Sequence, residues 1–167
     1  MREYSTPAAV EILPSDTLTD VVFDRAARSP AVVVMRTKSG TVLAARPASS
    51  GNGSWHDVTA RQFADDVTAL AKGFVAAGIG AGDRVALMAR TRYEWTALDY
   101  AIWAAGATTV PIYETSSAEQ VEWILTDSDA HALIVETPAH LRTAAQVLGA
   151  APHVSRVWLI DAAAQIA

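Results

Sequence analysis

The side chains best placed for chemistry follow an apolar segment in the middle of the chain. The run Tyr113-Glu114-Thr115-Ser116-Ser117 comes after a β-branched segment typical of a strand and before a segment with helical spacing. In open α/β sheets, ligands bind where strands end, and a helix N-terminus favours anions. Capping of the helix by Ser116 or Ser117 explains the same residues, and we favour that interpretation. Tyr113, Glu114 and Thr115 remain candidates for ligand contact.

Other residues with reactive side chains lack the spacing that catalytic or metal sites need. Four histidines, at positions 56, 131, 140 and 153, match no zinc-binding pattern. The pairs Asp65-Asp66 and Asp127/Asp129 are expected to be solvated acids on a helix surface and in a turn. The chain has no GxSxG nucleophile motif and no GxxxxGK[ST] phosphate loop. We therefore assign no catalytic residue and no metal ligand.

Composition excludes several classes of function. The 167 residues are 51% apolar and carry a net charge of −5, with scattered basic residues, so nucleic acid is not expected as a partner. There is no cysteine, which excludes disulfides and thiolate sites and suits a cytoplasmic protein. The most apolar stretch, residues 101–112, is too short to cross a bilayer. Peripheral membrane contact and homo-oligomerisation stay open.

Hydrophobic periodicity predicts an α/β fold. Strands are expected at residues 31–35, 55–58, 85–88, 108–112, 132–135 and 157–160. Helices of 10–18 residues alternate with the strands from residue 55 onward, which implies a mostly parallel sheet with helices on both faces. We predict one unit: an arm, helix, strand and flexible loop over residues 1–54, an α/β core over 55–161 and a trailing end over 162–167. The loop over residues 38–54 is expected to return as a hairpin.

Capping signals place the helix starts. Thr17 is expected to cap a first helix that runs through Arg28, and Thr137 is expected to cap a helix with Pro138 at its first position. Three capping boxes are predicted: Thr59 with Gln62, Thr91 with Glu94, and either Ser116 with Glu119 or Ser117 with Gln120. The tryptophans at positions 95, 103 and 123 lie on helices, where a core or subunit-contact role is commoner than ligand stacking.

Several segments together resemble the start of an adenylate-forming acyl-CoA synthetase of the AMP-binding superfamily. They are Trp55-His56-Asp57-Val58-Thr59, the run GAGDRVA from Gly80, Arg92-Tyr93-Glu94-Trp95, and AAGATTVPIY ending at Tyr113. The continuation ETSSAEQV from Glu114 is most similar to the long-chain fatty acid–CoA ligase branch, particularly bacterial ligases. The resemblance covers about half of the chain.

The resemblance implies a two-step ligase reaction for the whole enzyme. Fatty acid and ATP, with Mg²⁺, would give an acyl-adenylate and pyrophosphate, and the thiol of CoA would then give acyl-CoA and AMP. The family's phosphate loop, its adenine motif Tyr-Gly-x-Thr-Glu and its catalytic lysine have no counterpart in these residues, so the 167-residue chain is expected to be inactive alone. By the resemblance, Tyr113, Glu114 and Thr115 lie toward the CoA entry side, and Arg142 is a candidate contact for a CoA phosphate.

Two alternatives remain at the level of sequence. The chain could be a non-catalytic α/β binding or interaction module. It could also belong to another adenylate-forming enzyme, such as an acyl-ACP ligase, a carboxylate reductase or a luciferase-like protein.

Overall fold

The computed structural model describes residues 6–7, 13, 15–38 and 55–161. Most of the predicted hairpin loop and the predicted trailing end, residues 39–54 and 162–167, lie outside the described residues. In chain order the elements are α1 (Asp20–Arg28), β1 (Val33–Lys38), β2 (Trp55–Thr59), α2 (Ala60–Ala76), β3 (Arg84–Met88), α3 (Tyr93–Ala104), β4 (Thr108–Ile112), α4 (Ala118–Asp127), β5 (Ala132–Val135), α5 (Pro138–Ala145), a short 3₁₀ helix (Leu148–Ala150) and β6 (Arg156–Leu159).

The main sheet contains four parallel strands in the order β4-β3-β5-β6. Each strand is followed along the chain by a helix or by the turn that ends the described residues, which confirms the α/β fold predicted from periodicity. β4 is an edge strand of this sheet, and Pro111 lies in it, where its missing N–H interrupts no ladder on the open side. A separate antiparallel pair, β1 and β2, forms the predicted hairpin.

The core has two layers, one on each face of the sheet. Side chains of β3 and β5 alternate between the layers, because successive residues of a strand point to opposite faces. Val85, Leu87 and Ile134 pack with α1, α2 and α3, whereas Met88 and Leu133 pack with α4 and α5. The prediction of helices on both faces is thereby confirmed.

The predicted caps are correct for three helices. Thr59 with Gln62 opens α2, and Ser117 with Gln120 opens α4, each as a reciprocal capping box. Thr137 accepts a hydrogen bond from the backbone N–H of His140 at the start of α5, with Pro138 in the first turn.

Two predicted helix starts are wrong. α1 begins at Asp20 rather than after Thr17, because the Asp20 carboxylate accepts a hydrogen bond from the Thr17 N–H and forms a local turn there. α3 begins after Arg92, which makes no side-chain cap. The predicted Thr91–Glu94 capping box does not form, because Glu94 accepts two hydrogen bonds from Arg92 instead.

Candidate functional site

The carboxyl ends of β3 and β5 meet at a topological switch point of the sheet. These two strands are neighbours, yet β3 continues into α3 on one face while β5 continues into α5 on the other. The chain segments that leave them therefore turn to opposite faces of the sheet. In open α/β sheets a ligand usually binds outside the strand ends at such a point.

A buried carboxylate lies at this switch point. Glu136 directly follows β5 and its side chain is 0% exposed. Its oxygens accept from the backbone N–H of Arg90 at 2.8 Å, from Arg90 Nη2 at 2.6 Å and from Arg92 Nη1 at 3.0 Å. The end of β5 is thereby fixed to the segment that leaves β3.

Arg92 extends this network to three carboxylates. Its Nε and Nη2 bind the two carboxylate oxygens of Glu94 at 2.6 and 3.0 Å, a bidentate pair. Its Nη1 also binds Asp161, just beyond β6, at 3.0 Å. One guanidinium therefore joins α3 with the segments that follow β5 and β6.

Two members of the network, Glu136 and Arg92, have pKa values shifted in favour of their charged forms. Burial by itself would raise the pKa of Glu136, but the hydrogen bonds from Arg90 and Arg92 outweigh it and lower the pKa to about 2. For Arg92, burial lowers the pKa, but the carboxylates of Glu94, Glu136 and Asp161 together outweigh burial, so its pKa lies above the usual value. The buried charges are paired, as a low-dielectric site requires.

A large open cavity adjoins this network. It has a volume of about 770 Å³ and lies between the segment that leaves β3 and the β1–β2 hairpin. Its walls carry the basic side chains of Arg36, Lys38, Arg90 and Arg92, together with Trp55. The chemistry available here is binding and positioning rather than proton transfer, since the charged groups of the network are held in ion pairs.

Three of the four sequence-predicted site residues lie elsewhere on the same edge of the sheet. Tyr113 directly follows β4 and is 82% exposed, and Glu114 and Thr115 complete the turn before α4. Tyr113 borders a shallow groove of about 400 Å³ together with Trp123 of α4, which is 65% exposed. Arg142 is exposed in the last turn of α5. Ligand contact by these residues stays a prediction.

Two of the acids predicted to be solvated have partners. Asp66 accepts a hydrogen bond from the Tyr93 hydroxyl at 2.5 Å, which joins α2 to the start of α3. Asp129 forms an ion pair with Arg84 at 2.5 Å at the amino edge of the sheet. Both residues are partly exposed, as solvated acids would be, and each also faces a donor contributed by a distant segment.

The sequence analysis missed the switch-point network itself. Arg92 and Glu94 stand in a segment quoted for the family resemblance, but the sequence predicts a capping box between Thr91 and Glu94 and no partner for Arg92. Glu136 and Asp161 follow Arg92 by 44 and 69 residues, and local spacing carries no signal over such distances. The available signal was that Glu136 and Asp161 each directly follow a predicted strand.

Two features are absent from the part of the chain that the structure describes. No helix there is long and apolar enough to cross a membrane. No group of three or more His, Cys, Asp or Glu side chains in that part is arranged to hold a metal ion.

Comparison with known proteins identifies the family. A family model described as AMP-binding enzyme matches residues 25–166. A long-chain-fatty-acid–CoA ligase of Mycobacterium bovis is 41% identical over 160 residues, which is 96% of this chain and 25% of the ligase. The corresponding ligase of Mycobacterium tuberculosis is 40% identical over the same shares of the two chains. The chain thus spans about a quarter of the length of the curated relatives it matches.

Solved structures give the same fold. A long-chain-fatty-acid–CoA ligase from Archaeoglobus fulgidus matches 95% of this chain and 30% of its own, with a TM-score of 0.75 at 21% identity. A protein titled a long-chain-fatty-acid CoA ligase, from Rhodopseudomonas palustris, matches 87% of this chain and 33% of its own, with a TM-score of 0.67 at 23% identity. At these identities the likeness concerns the fold alone.

Proposed function

Since this chain belongs to the AMP-binding enzyme family, we propose that it forms the N-terminal α/β portion of an ATP-dependent long-chain fatty acid–CoA ligase. The observation that carries the proposal is the 41% identity to a long-chain-fatty-acid–CoA ligase over 96% of the chain. The parallel sheet, with the ion-pair network at the ends of β3 and β5, would serve as a scaffold in that enzyme.

The reaction proposed for the whole enzyme uses fatty acid, ATP and CoA. The acid would be activated as its adenylate with release of pyrophosphate, and the thiol of CoA would then displace AMP. Mg²⁺ would neutralise the charge that develops on the phosphates. Tyr113, Glu114, Thr115 and Arg142 are proposed to lie on the CoA side, since three of them follow an edge strand at the carboxyl edge of the sheet.

The proposal can be tested on nucleic acid sequence. We expect the reading frame to continue past the codon for Ala167. It should then encode a Ser/Thr/Gly-rich loop with a lysine and, further on, a Tyr-Gly-x-Thr-Glu motif. A stop codon directly after Ala167 would instead support a free-standing α/β binding or interaction module.

An activity assay gives a second test. The 167-residue chain, supplied with ATP, Mg²⁺, palmitate and CoA, is expected to release no pyrophosphate above a blank without protein, because the chain has no phosphate-loop motif to bind the nucleotide. The continued reading frame, expressed whole, is expected to turn over under the same conditions. Clear turnover by the 167 residues alone would contradict the assignment of catalysis to other segments.

A further inference from the structure

The ion-pair network at the ends of β3 and β5 presents arginine outward and carboxylate inward. Glu136 and Glu94 are 0% and 1% exposed, so their charges lie behind the guanidinium groups that they bind. The Arg90 side chain, in contrast, is 64% exposed. Glu94 also lines the 770 Å³ cavity, but Arg92 binds its carboxylate, so the Arg90 guanidinium is the exposed charged group that the network presents to a ligand there.

Arg90 is held in place and still has a donor to offer. Glu136 accepts from its backbone N–H, its Nε and its Nη2. Its Nη1 makes no hydrogen bond to any residue that the structure describes. Because the buried carboxylate already fixes the guanidinium, the Arg90 side chain would lose little conformational entropy when a ligand binds its Nη1. An arginine in this condition is a preorganised hydrogen-bond donor for an anion.

The opposite wall of the cavity carries an aromatic ring and more positive charge. Trp55 of β2 is 62% exposed, and Lys38 Nζ lies 5.3 Å from the centroid of its ring. Arg36 lines the same wall, with its Nε bound to Asp57 at 2.8 Å. A ring beside cations suits a planar heterocycle that bears a phosphate, since the ring can stack while the phosphate accepts hydrogen bonds.

From this arrangement we propose that the cavity between the β1–β2 hairpin and the end of β3 binds a phosphate ester of a planar heterocycle, with Arg90 Nη1 as a donor to the phosphate and Trp55 as the stacking surface. The five side chains of the ion-pair network sum to one negative charge, so the attraction comes from directed donors and from the wall cations rather than from net charge. Binding is therefore expected to be weak and sensitive to salt. The proposal does not depend on the ligase reaction and concerns residues apart from Tyr113, Glu114, Thr115 and Arg142.

The test is a titration of the 167-residue chain followed by NMR amide shifts. The probes are adenosine 3′,5′-bisphosphate, adenosine and inorganic phosphate. We expect saturable binding of the bisphosphate with shifts at residues 90–92 and in β1 and β2, and at least tenfold weaker binding of the other two probes. Adenosine binding as tightly as the bisphosphate would overturn the phosphate contact. Equal binding of inorganic phosphate would overturn the stacking contact and leave an adventitious ion only.

Variants of two matched arginines isolate the contact. Arg90→Gln is expected to weaken bisphosphate binding about tenfold, the usual effect of one charge-assisted hydrogen bond. Arg61→Gln is the control, because Arg61 is 63% exposed, lies near a carboxylate of its own and is outside the cavity. Equal effects of the two variants would overturn the proposal. If circular dichroism shows that Arg90→Gln does not fold, Arg90→Lys and Trp55→Leu take its place in the test. Each of them must weaken bisphosphate binding while the control does not.

Discussion

Glu136 shows how one residue can fix an edge of the sheet. Its carboxylate is fully buried and receives both the backbone and the side chain of Arg90, as well as Arg92. A buried ion pair is costly to break, because removal of one partner leaves the other charge buried without compensation. This single side chain therefore helps to hold the ends of β3 and β5 together.

The charge of Glu136 makes a prediction about acid stability. Its pKa is about 2 in the folded chain, against a reference of 4.5, so its contribution is complete above about pH 4.5 and is lost as the pH falls from there toward 2. Glu136→Gln is expected to lower the free energy of unfolding at pH 7 by about 3 kcal/mol. Urea unfolding at pH 7 and pH 3 measures this loss. The difference in unfolding free energy between the wild type and Glu136→Gln should be smaller at pH 3 than at pH 7.

Glu122→Gln is the control for this measurement. Glu122 lies on the partly exposed side of α4, so its substitution should change the unfolding free energy by less than about 0.5 kcal/mol at both pH values. A gap between wild type and Glu136→Gln that stays constant from pH 7 to pH 3 would show that the ion pairs of Glu136 are not the cause.

At the residue scale the sequence predicts less than the structure contains. The capping hydroxyls of Thr59, Ser117 and Thr137 were found because their partners lie three residues away. Charged partners such as Arg92 and Asp161 were missed because the sheet, and not the local chain, brings them together. Sequence spacing therefore predicts interactions within an element well, and interactions between elements poorly.

At the scale of elements, the turns at the amino edge of the sheet depend on glycine. Gly106 ends α3 with a φ of +84°, and a Cβ there would lie 3.2 Å from the Ala81 Cα. Gly78 has a φ of +89° after α2, with nothing within 4 Å of such a Cβ. Both positions need the left-handed conformation, but only Gly106 also needs the space.

This difference predicts unequal costs for the same substitution. Gly78→Ala is expected to destabilise the chain by about 1 kcal/mol through backbone strain alone. Gly106→Ala should cost clearly more, because the added methyl also displaces the segment around Ala81. Thermal or urea unfolding of the two variants measures the difference, and equal losses would show that the Ala81 contact relaxes without cost.

The order of elements was predictable because most helices and strands have a clear period. β4 and β5 have the predicted bounds, and the paired helices and strands of residues 55–161 appear in the predicted order. The start of α3 was not predictable, since Glu94 satisfies both the capping-box pattern and the actual ion pair with Arg92. A local pattern is ambiguous wherever a stronger partner is in reach.

At the scale of the whole molecule, one face of the sheet has an apolar groove near β6. Leu70, Phe74, Leu98, Trp158 and Ile160 line it, together with Ile134, around a volume of about 390 Å³. These side chains are buried or half-buried, but an open apolar groove of this kind promotes association when a second chain can fill it. We expect the 167-residue chain to self-associate as its concentration rises, which sedimentation velocity measures.

Two substitutions on α2 test this expectation. Leu70→Gln, in the groove, should reduce self-association, whereas Val75→Gln should not, because Val75 is 58% exposed on the same helix but lies outside the groove. A monodisperse wild-type monomer at every concentration, or equal effects of both substitutions, would contradict a role for the groove.

The strand order of the main sheet also has a consequence for how fast the chain folds. Every pairing in that sheet is parallel, so no two of its strands can meet through a tight turn, and an entire helix must cross over first. The pairing of β3 with β5 spans the longest stretch of chain, because β4 and α4 come between them. Loop closure precedes each gain in contacts, so we expect folding to be slow for the size of the chain, with the local α2–α3 packing formed before the sheet.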